Sequence, residues 1–282
     1  MKKNIVVEKH SGEKETFDPQ KLQESLKRAG ASAKLIRKVE ESIAPYLTDG
    51  VTTQEIYKRS FQFLRKFQRS TAARYSLKKA IMELGPSGYP FEHFVGELLR
   101  HLGYEIEVGQ MVQGQCISHE VDVVAHNDHQ QFVVECKYYN SQGKYCNVRV
   151  PLYIHSRFND IEKRWRSTPG LEKRSFHGWI FTNTRFTTDA MDYGRCVGLR
   201  MVSWDYPKKE SLKDLIEKTG LFPITVLTHL NKKQKQTILE KDIVLCSQLL
   251  EHISLLEQLD LTPAKRKKVK DEIRDLLTID GN

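Results

Sequence analysis

The stretch Ile117-Ser-His-Glu-Val-Asp122-Val-Val-Ala125, followed by Gln131-Phe-Val-Val-Glu135-Cys-Lys137-Tyr-Tyr139, decides how the chain folds. Both runs are rich in valine and read as strands, and His126-Asn127-Asp128 between them reads as a turn. Side chains alternate across a strand, so Glu135 and Lys137 share one face while Val134 and Cys136 point to the other. Twelve residues separate Asp122 from Glu135, enough for a hairpin that brings the two carboxylates together. Charges at the end of an apolar strand cost desolvation unless something binds them. Two carboxylates and a carbonyl make a hard oxygen site suited to Mg²⁺ or Mn²⁺. Lys137 beside them can orient a water or neutralise developing negative charge, which is equipment for metal-assisted phosphodiester hydrolysis. The same spacing also suits a surface hairpin with a Glu135–Lys137 ion pair.

Outward from this hairpin, Pro90 starts a helix with an apolar stripe of Phe91, Phe94, Val95, Leu98, Leu99 and Leu102, and Gly103 ends it. Tyr104 to Val112 reads as a strand. After the hairpin come a helix (Leu152 to Trp165), a strand (Gly178 to Thr182), a helix (Thr187 to Val197) and a strand (Leu199 to Trp204). Strands alternating with helices predict a mixed sheet flanked by helices. Gly85-Pro86-Ser87-Gly88 is strong punctuation and marks a boundary.

Before that boundary, Asn4 to His10 and Glu13 to Phe17 read as a hairpin with its turn at Ser11-Gly12. Asp18-Pro19 starts a helix, a second carries Leu35, Ile36, Val39 and Ile43, and Thr52 with Glu55 has capping-box spacing for a third. A fourth helical stretch runs from Thr71 to Leu84. Beyond Pro207 the chain reads as helical and charged, with a basic run at Lys265-Arg-Lys-Lys268 and Lys270 that suits either phosphate contact or a solvated helix face. The expected domains are 1–86, 87–206 and 207–282, in an α/β multidomain chain.

The chain has 282 residues, 39% hydrophobic and 29% charged, a composition that argues against whole-chain disorder and a coiled-coil rod. No apolar run reaches the roughly 20 residues needed to span a bilayer, and the N-terminus lacks a signal-peptide pattern. Five scattered cysteines fit a reducing cytoplasm better than a disulfide framework. A net charge of +9 favours polyanionic partners, nucleic acid above all. Cys116, His119, His126 and His129 have only loosely zinc-like spacing, and no zinc is expected there. Phe61, Phe63, Phe67 and Trp165 are expected in the core. Tyr138-Tyr139 suits either DNA contact or cover for the sheet end.

Asp122 followed by Glu135-x-Lys137 on a Val-rich strand resembles the PD-(D/E)xK nuclease motif. Gly88-Tyr-Pro-Phe-Glu92 before Leu98-Leu99 and Gly103-Tyr104 resembles the opening helix of Mrr-type restriction endonucleases and archaeal Holliday-junction resolvases. Gly178-Trp-Ile-Phe-Thr-Asn, Phe186-Thr-Thr-Asp-Ala190 and Gly198-Leu-Arg-Met-Val also resemble Mrr-like proteins. The resemblance covers residues 87 to 206. It implies that Glu92, Asp122 and Glu135 hold Mg²⁺ or Mn²⁺, with Glu97 a weaker candidate than Glu92, and that Lys137 assists the attacking water. The first motif reads Glu120-Val-Asp122, without the family's proline. Residues 3 to 84, through Val7-Glu-Lys9-His10-Ser-Gly12, Phe17-Asp18-Pro-Gln-Lys21-Leu22 and Ala73-Arg74-Tyr75, are similar to the ATP-cone. That resemblance implies an ATP or dATP effector site lined by Val7, Lys9, His10, Glu15, Lys21 and Thr53. The family usually has arginine where His10 stands, which weakens phosphate attraction at neutral pH. Ile243 to Leu250 and Leu255 to Leu261 resemble helix-hairpin-helix modules.

Together these readings lead to the expectation of a cytoplasmic, homo-oligomeric, metal-dependent DNA endonuclease of restriction type, regulated by ATP or dATP, with no membrane partner. The alternative is a nucleotide-responsive DNA-binding regulator on a non-cutting nuclease scaffold, and an RNA-directed nuclease also stays open.

Overall fold

A computed structural model describes residues 5–9, 12–141, 143–170 and 174–278. The chain divides into two compact units. One comprises residues 1–80, 224–236 and 249–282, and the other residues 81–223 and 237–248.

The first unit opens on an antiparallel hairpin, β1 (Val6–Glu8) and β2 (Lys14–Thr16), with Val7 opposite Glu15. Half of the expected turn, Ser11, lies outside the described residues together with His10. Then α1 (Pro19–Arg28) starts where Asp18 Oδ1 accepts the Gln20 N–H at 2.9 Å. In α2 (Ala33–Ile43), Leu35, Ile36, Val39 and Ile43 are buried. They pack with Leu22, Leu26, Ile56 and Leu64 into one core, burial worth about 1.5–3 kcal/mol per large side chain. At the start of α3 (Thr53–Phe67), Thr52 Oγ1 accepts the Glu55 N–H at 3.1 Å. The expected reciprocal half of a capping box is missing: the Glu55 carboxylate turns to Arg59 at 2.8 Å, a cation one turn on that competes successfully for it. The expected helix from Thr71 breaks at Ser76 into α4 (Arg69–Tyr75) and α5 (Leu77–Ile81), because the Ser76 hydroxyl donates back to the Ala73 carbonyl at 2.9 Å. Phe61 and Phe63 pack against the core as expected, whereas Phe67 is 55% exposed and stacks on Phe63.

In the second unit, α6 (Tyr89–His101) leads into β3 (Glu105–Gln113), β4 (Ser118–His126) and β5 (Gln130–Lys137). Then come β6 (Tyr145–Cys146), α7 (Arg149–Arg166), β7 (Ser175–Thr182), β8 (Arg185–Phe186), α8 (Thr188–Cys196), β9 (Arg200–Val202) and α9 (Leu212–Thr219). The main sheet has the order β3-β4-β5-β7-β9. Its first two pairings are antiparallel and its last two parallel, a mixed sheet as the sequence implied. β6 and β8 form a separate parallel pair of two residues each, too short to leave a periodic signal. Val133, Ile154, Phe158, Ile161, Ile180 and Met201 bury one sheet face against α7. α7 approaches β7 closely because Gly178 has no side chain: a Cβ there would lie 2.5 Å from Phe158 and 2.7 Å from Leu199.

After α9 come α10 (Lys232–Leu239), α11 (Cys246–Glu251) and α12 (Pro263–Thr278), with short 3₁₀ turns between them. Residues after 207 contribute to both units. No described helix is long and apolar enough to cross a membrane.

Candidate active site

The β4–β5 ladder runs through Val124–Val133 and Val123–Val134 and stops there, so Asp122 and Glu135 would form its next rung. The rung is replaced by a side chain: Asp122 Oδ2 accepts the Cys136 N–H at 2.6 Å. A carboxylate in place of the carbonyl ends the ladder and fixes Asp122 beside Glu135. Lys137 follows on the same face as Glu135 and is exposed. Glu92 enters from the first turn of α6. That helix starts at Gly88, whose φ of 86° suits glycine, followed by Pro90 in the first turn.

Asp122 and Glu135 therefore sit at one end of the sheet, where both charges act on Glu92 and the Lys137 charge acts on Asp122 and Glu135. Burial first, then Asp122 and Glu135, push the Glu92 carboxyl up to about 7. Burial and Asp122 push Glu135 up to about 7 against the pull of Arg157 and Lys137. Asp122 is also raised by burial, opposed by the Cys136 N–H, Arg157 and Lys137. Like charges gathered out of water resist ionisation until a cation joins them.

Sequence reading missed the cation that is there. Arg157 of α7 donates from Nη1 to Glu135 Oε2 at 2.9 Å and from Nη2 to the Glu120 carbonyl. The expected surface alternative, a Glu135–Lys137 ion pair, is absent among the described residues; Glu135 is only 9% exposed and pairs with Arg157. Arg157 had a sequence signal. Val150, Ile154, Arg157 and Ile161 lie along one heptad-spaced line of α7, and an arginine inside an apolar stripe needs a buried acceptor.

Among the described residues, no three His, Cys, Asp or Glu side chains are drawn into a ready ion cage, Glu92, Asp122 and Glu135 included. The reason is visible in the bonds: Glu135 is turned to a guanidinium and Asp122 to a backbone N–H. The donor set nonetheless fits a hard divalent cation. It offers three carboxylates of mutually raised affinity for positive charge, with a guanidinium already standing in for one. Glu97 pairs with Arg100 at 2.6 Å and takes no part.

Cys116 and His119 meet around a carboxylate. Asp160 accepts the Cys116 and Ile117 N–H groups at 3.0 and 3.4 Å and lies 2.8 Å from His119 Nε2, tying the β3–β4 turn to α7. These contacts, the His119 bond foremost, hold Asp160 down at about 2. The Tyr138 hydroxyl donates to the Met82 carbonyl at 2.7 Å; the Tyr139 N–H donates to Asn183 Oδ1 at 2.9 Å, and the Tyr139 side chain packs half-buried against the sheet core. Trp165 packs edge-on against Phe176.

In the first unit, Lys9 lies 2.9 Å from Glu15 and 3.1 Å from Glu13, and Lys21 lies 3.3 Å from Glu15. Glu15, then Glu13, raise the Lys9 ammonium, and Lys9 lowers Glu15. The Glu8 N–H donates to the Val51 carbonyl, which brings the start of α3 and Thr53 alongside the hairpin. Val7 is buried in the core.

A hairpin-and-helix unit followed by a mixed sheet with clustered carboxylates defines an ATP cone joined to a restriction-endonuclease domain. The sequence agrees: the ATP cone domain matches residues 5–82, a restriction endonuclease domain residues 85–151, and the AF1548-like C-terminal domain residues 222–277. An uncharacterized protein of Archaeoglobus fulgidus is 32% identical over 184 residues, 65% of this chain and 99% of that one. The chain belongs to the AF1548-like family. The crystal structure of the protein of unknown function AF1548 superposes with a TM-score of 0.55 at 32% identity, over 68% of this chain and 98% of that one. The DNA modification-dependent restriction endonuclease AspBHI reaches a TM-score of only 0.33 at 14% identity, over 60% of this chain and 40% of its own, too low to bear on fold or activity.

Proposed function

We propose that this protein is a metal-dependent DNA endonuclease of restriction type whose activity responds to ATP or dATP. The observation that carries the reading is the meeting of Glu92, Asp122, Glu135 and Lys137 at one sheet end, with two carboxyls raised to about 7. Glu92, Asp122 and Glu135 would hold Mg²⁺ or Mn²⁺. Such a cation, when bound, acidifies water and screens phosphate charge. Lys137, whose charge already acts on Asp122 and Glu135, would orient the attacking water and balance charge on the phosphate. Lys9 of the hairpin and Lys21 of α1, both beside Glu15, offer cations for a triphosphate once Glu13 and Glu15 release them, and Thr53 at the start of α3 would add a hydroxyl. His10 completes that expected set from outside the described residues, and Val7 would supply apolar backing. Homo-oligomerisation and a cytoplasmic setting accompany this reading.

Incubating plasmid, linear DNA and RNA with Mg²⁺ or Mn²⁺, with and without chelator, tests it. Cleavage of DNA that chelation abolishes is expected. Intact DNA in every metal would favour the non-cutting regulator, and cleavage of RNA alone would change the substrate class.

A further inference from the structure

The basic run of α12 has a specific place in the first unit. Lys265, Lys268 and Glu272 are spaced i, i+3 and i+7, so they line one face of that helix. At the bottom of the line Glu272 is 3% exposed, and both its oxygens are occupied. Oε1 accepts from the Thr228 N–H at 2.8 Å and hydroxyl at 2.6 Å; Oε2 accepts from the His229 N–H at 3.1 Å. Arg69 of α4 donates to the same Thr228 hydroxyl at 3.0 Å. The buried carboxylate thus clamps the 228–229 turn beneath α12 and gathers Arg69, Lys265 and Lys268 about the half-buried His229. Burial foremost lowers the His229 imidazole; the Glu272 charge opposes this, and Arg69, Lys268 and Lys265 add to it. Among the described residues, neither Lys265 nor Lys268 has an acidic group within 4.0 Å, whereas Arg266 between them faces Glu257 at 3.9 Å. Three cations therefore stand over one carboxylate whose hydrogen bonds are already spent, and a solvated face has no need of a buried glutamate to fix its turn.

We infer that Arg69, His229, Lys265 and Lys268 form a phosphate-binding site for the backbone of duplex DNA. The site would take phosphate without reading bases, because Arg69, Lys265 and Lys268 offer charge that attracts phosphate oxygens whatever the sequence. It requires nucleic-acid binding but no cleavage, so it stands apart from the nuclease reading. Removing one lysine from a phosphate lowers the salt slope of duplex binding by about 0.9, so two such removals amount to roughly 30-fold in affinity at about 0.15 M salt.

The test is fluorescence anisotropy of a labelled duplex in EDTA across a salt series, using the full chain. The Lys265→Ala/Lys268→Ala variant is expected to bind roughly 30-fold weaker, with a slope shallower by about 1.8. A Lys34→Ala/Arg37→Ala variant, which removes the same charge from the exposed face of α2, should lose much less of either. Both changes leave buried groups intact, and equal melting temperatures confirm folding. If the two variants behave alike, the site is overturned and only net charge matters. If the α12 variant loses ATP binding and keeps duplex binding, the phosphate belongs to a free nucleotide and the DNA assignment falls. An Asp122→Asn chain that binds normally but does not cut separates this result from any failure of the nuclease reading.

Discussion

Arg157 and Glu135 set the competition that governs the candidate site. A guanidinium hydrogen-bonded to the carboxylate must yield before a divalent cation can use that oxygen. In Arg157→Ala, Mn²⁺ titrated at about pH 8 without DNA is expected to bind roughly tenfold tighter, about 1.4 kcal/mol, near the lower end for a hydrogen bond to a charged group. Calorimetry measures this directly. Unchanged or weaker binding would mean that Arg157 presents Glu135 to the cation. Glu92 makes a second test. Its carboxyl titrates near 7 in the fold against an ordinary 4.5. The fold therefore keeps a proton there that the unfolded chain has released, and the associated stability is present below about 4.5 and lost as pH rises to about 7. In EDTA the melting temperature should fall between about pH 5 and 8, and fall less in Glu92→Gln. Parallel profiles for the two proteins would sink the assignment. Asp122, Glu135 and Lys137 stand out by spacing, because strand alternation fixes where such side chains point, whereas Glu92 comes from the resemblance of the α6 start to Mrr-type enzymes. Arg157 leaves only a faint mark, one arginine inside the apolar line of α7, and the helix pattern does not name its acceptor, Glu135, which lies on another element.

At the scale of elements, the sheet and its helices follow from alternation and from glycine and proline punctuation. Missing from that reading are β6 with β8, too short for periodicity, and the break at Ser76, where a side-chain hydroxyl diverts a helical carbonyl. The packing of α7 on β7 depends on a residue whose role no pattern reveals. Gly178 lies in a strand that reads as ordinary, yet a methyl group there meets the Phe158 ring and Leu199. Gly178→Ala is expected to cost about 1–3 kcal/mol by overpacking. It should also lower cleavage, since α7 carries Arg157 and Asp160. Urea unfolding that leaves the midpoint unchanged would contradict this account of how α7 is seated.

For the whole molecule, nucleotide can alter cleavage only by binding one global state better than another. Lys9 and Lys21 share Glu15 in the structure, so a triphosphate must displace that carboxylate, and doing so offers a way to rearrange the hairpin. ATP or dATP is expected to shift the oligomer distribution and the cleavage rate together, and Lys9→Ala or Lys21→Ala to uncouple both. Light scattering beside a cleavage assay reads the two quantities. Tight nucleotide binding with neither one moving would leave the cone as a passive interaction surface. The central claim remains the metal-dependent chemistry at the sheet end. Its most direct test compares the wild-type chain with Asp122→Asn and Lys137→Ala on supercoiled DNA in Mg²⁺ or Mn²⁺, with binding measured in parallel. The expected result is cleavage by the wild type alone, with all three proteins binding DNA comparably; undiminished cleavage by both variants would contradict the account.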